Sequence, residues 1–226
     1  MSDTSSYLLA IDTVGHFCGI AFADVHSGII VKESFLEKPN MHDAMLAEMI
    51  RDAMNDLHIN TKQIQAIAVS EGPGSFTGVR IGMSFAKGWC ADGNTMLISV
   101  PTFDAMIHGF IKKYPNPSQT NIAIIMKSHG NAWFFQTFDH SRETTSNIAI
   151  LSQHEIQSIL DDETIVLGDY VSMIEKSPYP EFRQSHPQHI AALGYIMLQD
   201  GKSINPALAD SKYHADFTPT VKGEQS

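Results

Sequence analysis

Apolar residues along the chain follow two spacings, one typical of strands and one typical of helices. In the first half, short apolar runs predict strands at 7–13, 17–24, 29–35, 65–70 and 96–100. Apolar positions three or four residues apart predict helices at 41–57, 76–91 and 102–113. The strand at 65–70 is apolar without alternation, which is typical of a buried parallel strand. The first half therefore has the order β-β-β-α-β-α, followed by one more strand and one more helix.

The second half repeats this order more weakly after a break at Tyr114-Pro115-Asn116-Pro117. Strands are predicted at 122–127, 132–139, 147–151 and 164–167, and helices at 152–160 and 188–198. The pattern predicts a two-lobed α/β protein with an N-terminal lobe at 1–113 and a C-terminal lobe at 118–216. Residues 217–226 carry no periodic signal and are expected to form a flexible tail.

Charge and cysteine content narrow the class of protein. The 226 residues include 15 Lys and Arg against 25 Asp and Glu, a net charge of −10, with no basic stripe. Nucleic-acid binding draws on clustered cations, so we expect the chain to contact tRNA only through a complex. Two cysteines form no disulfide framework, and neither a signal peptide nor a run of about 20 apolar residues is present. These features predict a cytoplasmic protein without a membrane segment.

The sharpest motif is GPGSFTGVRIG at residues 72–82. It lacks the lysine and the glycine spacing of a phosphate-binding P-loop, and Ser75 does not stand in a G-x-S-x-G frame. Two interpretations stay open. The glycines could hold an anion at a helix N-terminus, with Ser75 as N-cap and Arg80 nearby, or they could simply make a tight strand-to-helix turn.

This motif, the LLAIDT run at 8–13, His42 at the first helix and the element order resemble the TsaB (YeaZ) family. The resemblance is close over the first 110 residues; the second half is similar in length and rhythm and diverges at Lys127, His129 and His214. It implies the actin/hexokinase/Hsp70-like (ribonuclease H-like) fold. It also implies a non-catalytic scaffold that binds TsaD, with the ATPase TsaE, to form N6-threonylcarbamoyladenosine at position 37 of tRNAs reading codons beginning with A.

Within that superfamily, Asp12-Thr13 is similar to a phosphate-binding hairpin, so nucleotide or anion contacts are considered at Asp12, Thr13, Ser75 and Arg80. The second acidic hairpin is missing, because the matching strand ends in Lys127. Asp12 is therefore predicted to cap a turn. We expect no cofactor on this chain alone, with ATP or ADP placed at the partner interface if at all. The alternative is an active small-molecule kinase or a peptidase of the same superfamily.

No metal site is expected, because His42 has Leu46 four residues on instead of a second histidine. A partner surface is expected on the first two helices. Gly74, Gly78, Gly82 and Ala86 recur every four residues, and such a row lets another helix approach closely. The surface would bind TsaD, or a second copy in a homodimer. The predicted contact residues are Met45, Met49, Gly74, Gly78, Val79, Gly82, Met83 and Ala86. The other interpretation is that both helices bury these residues inside their own lobe.

Overall fold

The computed structural model describes residues 5–16, 18–36, 42–115, 121–139, 141, 143–170 and 179–209. Its strands are β1 (Tyr7–Asp12), β2 (Cys18–Asp24), β3 (Ile30–Leu36), β4 (Ile64–Ser70), β5 (Met96–Val100), β6 (Asn121–Lys127), β7 (Ala132–Asp139), β8 (Ala149–Ser152) and β9 (Ile165–Leu167). Its helices are α1 (His42–Asp56), α2 (Phe76–Trp89), α3 (Thr102–Lys113), α4 (Gln153–Ile159) and α5 (Pro187–Gln199). All the predicted elements are present, with ends shifted by one or two residues. The predicted tail at 217–226 lies outside the described residues.

The strands form two sheets with one connection pattern. The first has the order β3-β2-β1-β4-β5, and the second has the order β8-β7-β6-β9. In each sheet the first three strands run antiparallel to their neighbours, and the fourth lies parallel to the first strand. A hairpin suffices for an antiparallel pair, whereas a parallel pair needs a helical crossover. The β-β-β-α-β-α order predicted for each lobe is therefore confirmed.

Two helices pack across the division between the halves. One face of the first sheet is covered by α1 and α2. Its other face is covered by α5, which contacts β1, β2, β4 and β5 and comes from the second half of the chain. In turn, α3 from the first half packs into the core of the second sheet through Phe103, Met106 and Phe110. The predicted ranges 1–113 and 118–216 thus divide the strands between the sheets but do not divide the helices between the cores.

Helix α5 packs closely on the first sheet because residue 194 is a glycine. A Cβ at this position would lie 2.5 Å from the Cβ of Ala68 on β4. Because small residues on both elements allow this approach, α5 reaches the middle of the sheet. None of the helices among the described residues is long and apolar enough to cross a bilayer.

Candidate functional site

The glycine-rich loop between β4 and α2 is fastened to the turn that follows β1. The amide of Ser75 donates to the carbonyl oxygen of Val14 at 2.8 Å. The hydroxyl of Ser75 accepts from the amide of Gly78 at 3.3 Å, which makes Ser75 the N-cap of α2. At Gly74 a Cβ would lie 2.7 Å from the Cβ of Val14. The segment forms a tight strand-to-helix turn, and Ser75 is the N-cap of α2. An anion held at this helix N-terminus stays a prediction.

The row of small residues on α2 faces the protein's own sheet. A Cβ on Gly82 would lie 2.5 Å from Oγ1 of Thr13 and 3.3 Å from Cγ2 of Val69. A Cβ on Gly78 would run into the main-chain oxygen of Thr13. This packing corrects the expectation that the row is open to a partner helix. The residues it removes from that surface are all buried: Gly74, Gly78, Val79, Gly82, Met83 and Ala86.

Other apolar side chains on the same two helices are half-buried. Met49, Ile81, Phe85 and Trp89 pack against the edge of the first lobe's core and keep part of their surface exposed. We call this surface the α1–α2 face. Ser84 and Gly88 are exposed on it, and a Cβ on Gly88 would meet no atom within 4 Å. The rings of Phe85 and Trp89 lie 5.9 Å apart. The α1–α2 face consists of the half-buried Met45, Met49, Ile81, Phe85 and Trp89 and the exposed Ser84 and Gly88. A role for Met45 and Met49 in binding a partner stays a prediction.

Three of the four residues considered for anion contact, Asp12, Thr13 and Ser75, lie around the turn after β1, and each makes hydrogen bonds within the protein. Asp12 is buried, and its Oδ1 accepts from the amide of Val14 at 3.4 Å, so it caps a turn as predicted. The hydroxyl of Thr13 donates to the carbonyl oxygen of Gly78 at 2.7 Å and ties β1 to α2. The guanidinium of Arg80 lies over the ring of Phe76, 4.6 Å from its centre.

Burial raises the pKa of the Asp12 carboxyl, and the neighbouring hydroxyl of Ser185 and the amide of Val14 partly oppose that rise. The Asp12 carboxyl is therefore enclosed near its own turn and does not line an open cleft. Of the four residues, only Ser75 lines the cavity described next.

A cavity of about 380 Å³ lies between the two lobes. The first lobe contributes the turn after β1 and the first residues of α2, and the second contributes the ends of β6 and β9. Its polar lining includes the hydroxyls of Ser75, Thr77 and Ser128 and the imidazoles of His16 and His129. The cleft therefore offers neutral donors and imidazoles from both lobes.

Asp169 is the acidic group of this cavity. Its Oδ1 accepts from the amide of Lys127 at 2.9 Å, and its Oδ2 lies 4.0 Å from Nε2 of His16 in the other lobe. Burial raises the pKa of the Asp169 carboxyl, against the opposing effects of the Lys127 amide and His16. The ammonium group of Lys127 lies 4.3 Å from the centre of the Trp133 ring.

Three residues that line the cavity were not among the predicted site residues: Asp169, His16 and Gln184. The only signal for Asp169 is its place directly after a short strand, at the edge where parallel strands end. His214, which the sequence analysis marked as divergent, lies outside the described residues. Within those residues, no group of three or more His, Cys, Asp and Glu side chains is placed to hold a metal ion.

Comparison with known proteins shows what this chain is similar to. A family model described as "TsaD: tRNA N6-adenosine threonylcarbamoyltransferase" matches residues 38–126. The protein TsaB of Bacillus subtilis (strain 168) is 37% identical over 180 residues, which cover 79% of this chain and 70% of that protein. TsaB of Escherichia coli (strain K12) is 29% identical over 167 residues, or 71% of this chain and 70% of that protein. Both are named as tRNA threonylcarbamoyladenosine biosynthesis proteins.

The fold is matched by a solved structure of YeaZ from Pseudomonas aeruginosa. That structure has a TM-score of 0.76 and 20% sequence identity, and the match covers 92% of this chain and 99% of that one. The comparison confirms the predicted two-lobed α/β fold. Its assignment to the actin/hexokinase/Hsp70-like class stays a prediction.

Proposed function

Because the chain belongs to the TsaB family, we propose that it is a non-catalytic scaffold in tRNA threonylcarbamoyladenosine biosynthesis. In the cytoplasm it binds and stabilises TsaD, and with the ATPase TsaE the complex forms N6-threonylcarbamoyladenosine at position 37 of tRNAs that read codons beginning with A. The observation that carries this proposal is the 37% identity to Bacillus subtilis TsaB over 79% of the chain. The chain meets tRNA only through the complex, in keeping with its net charge of −10.

The partner binds at the α1–α2 face. Half-buried apolar side chains there, including Ile81 and Phe85, gain further burial when a second helix covers them. The exposed Ser84 and Gly88 are small, so a partner helix can approach α2 closely between the larger side chains. Methionines such as Met49 adapt to more than one partner. The same face therefore serves TsaD in the complex and a second copy when the chain is alone.

A charged side chain in the middle of this face tests the proposal. Ser84→Arg adds a long cation where the partner helix would lie, and its burial without a counter-charge is unfavourable. We expect TsaD binding to weaken about 10- to 100-fold, or by about 1.4–2.8 kcal/mol. The melting temperature should stay near that of the unmodified protein, because Ser84 is exposed. The homodimer should also dissociate, as measured by sedimentation velocity.

Ser158→Arg is the matched control. Ser158 is an exposed serine on α4, in the second half of the chain. This variant should bind TsaD as the unmodified protein does. If Ser84→Arg and Ser158→Arg bind TsaD equally well, the partner does not use the α1–α2 face. If the unmodified chain does not bind TsaD at all, the scaffold role itself is wrong.

The chain alone carries out no phosphoryl transfer or peptide hydrolysis in this proposal, and ATP or ADP enters at the partner interface. Two observations support that view: Asp12 is buried and does not line the cavity, and the Asp169 carboxylate accepts a hydrogen bond from the Lys127 amide. Metal-assisted phosphoryl transfer depends on free acidic groups that place the ion. The purified chain should hydrolyse ATP with Mg²⁺ no faster than a buffer blank. Turnover that disappears in Asp12→Ala would favour the kinase alternative.

A further inference from the structure

The two lobes meet where α3 crosses α5. Through Phe103 and Phe110, α3 belongs to the core of the second sheet. Through Ile190 and Ala191, α5 belongs to the core on the first sheet. The two helices are packed against each other along this crossing. We call it the lobe joint, because a relative movement of the lobes must rearrange it.

A buried imidazole fills the lobe joint. The ring of His189 on α5 is 7% exposed, and its Nδ1 has no hydrogen-bond partner. It stacks on the ring of Phe182, with centres 5.2 Å apart and planes 6° apart. On the α3 side it lies against Gly109, where a Cβ would run into the ring. In the lobe joint, the His189 ring therefore packs flat against the Phe182 ring and beside Gly109, an apolar environment that suits a neutral imidazole.

Basic groups surround this ring on both helices. The ring of His186 lies 5.7 Å away on the α5 side, and α3 contributes His108 and Lys113. The pKa of His189 is lowered from 6.5 to about 3, mainly by burial and to a smaller extent by these three basic groups. His189 is therefore neutral in the closed joint at every pH near neutrality.

Four acidic groups lie on or beside these elements. One of them, the buried Asp12, interacts electrostatically with His186, and its Oδ2 has no hydrogen-bond partner. The other three are already engaged. Glu181, beside the Phe182 turn, accepts from Lys113 at 2.6 Å and from Tyr114 at 2.7 Å. Glu33 on β3 accepts from the amide of Gln188 at 3.3 Å. Asp104 lies one turn before His108 on α3, and it also has its own interactions. A proton on His189 would have to be accommodated among cations.

We propose that protonation of His189 opens the lobe joint, so that acidification uncouples the two lobes while both sheets stay folded. In the open joint the ring reaches water and takes up a proton near its ordinary pKa of 6.5. The neutral His189 ring stabilises the closed joint fully above pH 6.5. This contribution is lost as the pH falls from 6.5 toward 3. Once separated, α5 stays packed on the first sheet and α3 on the second, but each helix loses its contact with the other. With fewer packing contacts, both helices open locally more often than the strands beneath them.

Hydrogen exchange of the full chain at pH 7 and pH 5 tests the proposal, after correction for the intrinsic rate at each pH. From the two pKa values, the open population should rise about 25-fold between pH 7 and pH 5. Peptides from α3 and α5 should exchange faster by that factor, whereas peptides from β1 and β6 should change by less than about threefold. Equal acceleration in the strands would mean global unfolding and would overturn the proposal.

Two variants remove the titrating group: His189→Phe keeps an aromatic ring, and His189→Gln keeps a polar side chain. In whichever variant folds, the difference between α3 and β1 exchange at the two pH values should disappear. His154→Gln, which removes an exposed histidine on α4, should leave that difference intact. Persistence of the effect without His189, or its loss in His154→Gln, would assign the pH response to another group. If neither His189 variant folds, the comparison of helices with strands in the unmodified chain decides alone.

Discussion

Two glycines on α2 give opposite expected responses to the same substitution. Gly82→Ala places a methyl group 2.5 Å from Oγ1 of Thr13 and 3.3 Å from Cγ2 of Val69, both in the interior of the first lobe. Gly88→Ala places the same methyl group in open space. The pair therefore separates the effect of packing from the effect of helix propensity.

The magnitudes follow from three contributions. Alanine is favoured over glycine in a helix by about 1 kcal/mol, so Gly88→Ala should stabilise the protein by about that amount. At Gly82 the same gain is opposed by about 1–3 kcal/mol of overpacking. Displacement of Thr13 would also weaken its 2.7 Å hydrogen bond to Gly78, at about 1 kcal/mol. The two variants should differ by about 2–4 kcal/mol in free energy of unfolding.

Denaturant unfolding followed by circular dichroism measures both variants, and sedimentation velocity on the same samples measures association. The double variant Thr13→Ala with Gly82→Ala removes the clashing hydroxyl, so it should be more stable than the sum of the single changes by about 1 kcal/mol or more. If Gly82→Ala is as stable as Gly88→Ala but no longer associates, the glycine row contacts a partner and our assignment of it to the interior is wrong.

Two further predictions concern titratable groups. Burial raises the pKa of Cys18 to about 12 and that of Cys90 to about 11, so both thiols should resist Ellman's reagent at pH 8 until urea unfolds the chain; rapid labelling of the native protein would contradict this. The hydrogen bond from Lys113 lowers the pKa of Glu181 to about 2, so this carboxylate stabilises the fold above about pH 4.5 and loses that effect as the pH falls toward 2. Because the side chains of Lys113 and Glu181 are 55% and 35% exposed, Glu181→Gln should cost only about 0.5–1 kcal/mol at pH 7 and almost nothing at pH 2; an equal cost at both would refute the ionic origin.

Local periodicity was sufficient to predict the strands and α-helices of the described residues, because the spacing of apolar positions depends on the type of element and not on its place in the fold. It could not predict which surface each element packs against. The spacing of Gly78 and Gly82 suits a partner helix and the protein's own sheet equally, and the position of Thr13, directly after β1, decides between them. For the same reason, local periodicity could not predict that α3 packs in the core of the second sheet and α5 packs on the first sheet.

The cleft was predicted least well. Its lining joins residues far apart in the chain, such as His16, Ser75, Lys127 and Asp169. Each stands at the end of a strand or in a turn, where sequence carries little signal about side-chain direction. Part of the motif at 72–82 lines one side of the cleft. Its hydrogen bonds there cap α2 and join the loop to the turn after β1.

The glycine row of the motif and the proposed partner surface lie on different sides of one helix, and this arrangement separates their effects. Gly78 and Gly82 seat α2 on the sheet, which sets how far Ser84 and Phe85 project from the lobe. A larger residue at Gly82 should therefore weaken TsaD binding only as far as it displaces or destabilises α2, and stability and affinity should fall together. Ser84→Arg should lower affinity without lowering stability. If affinity in the Gly82 variant falls by far more than its stability allows, the inner row has a direct contact that this packing does not explain.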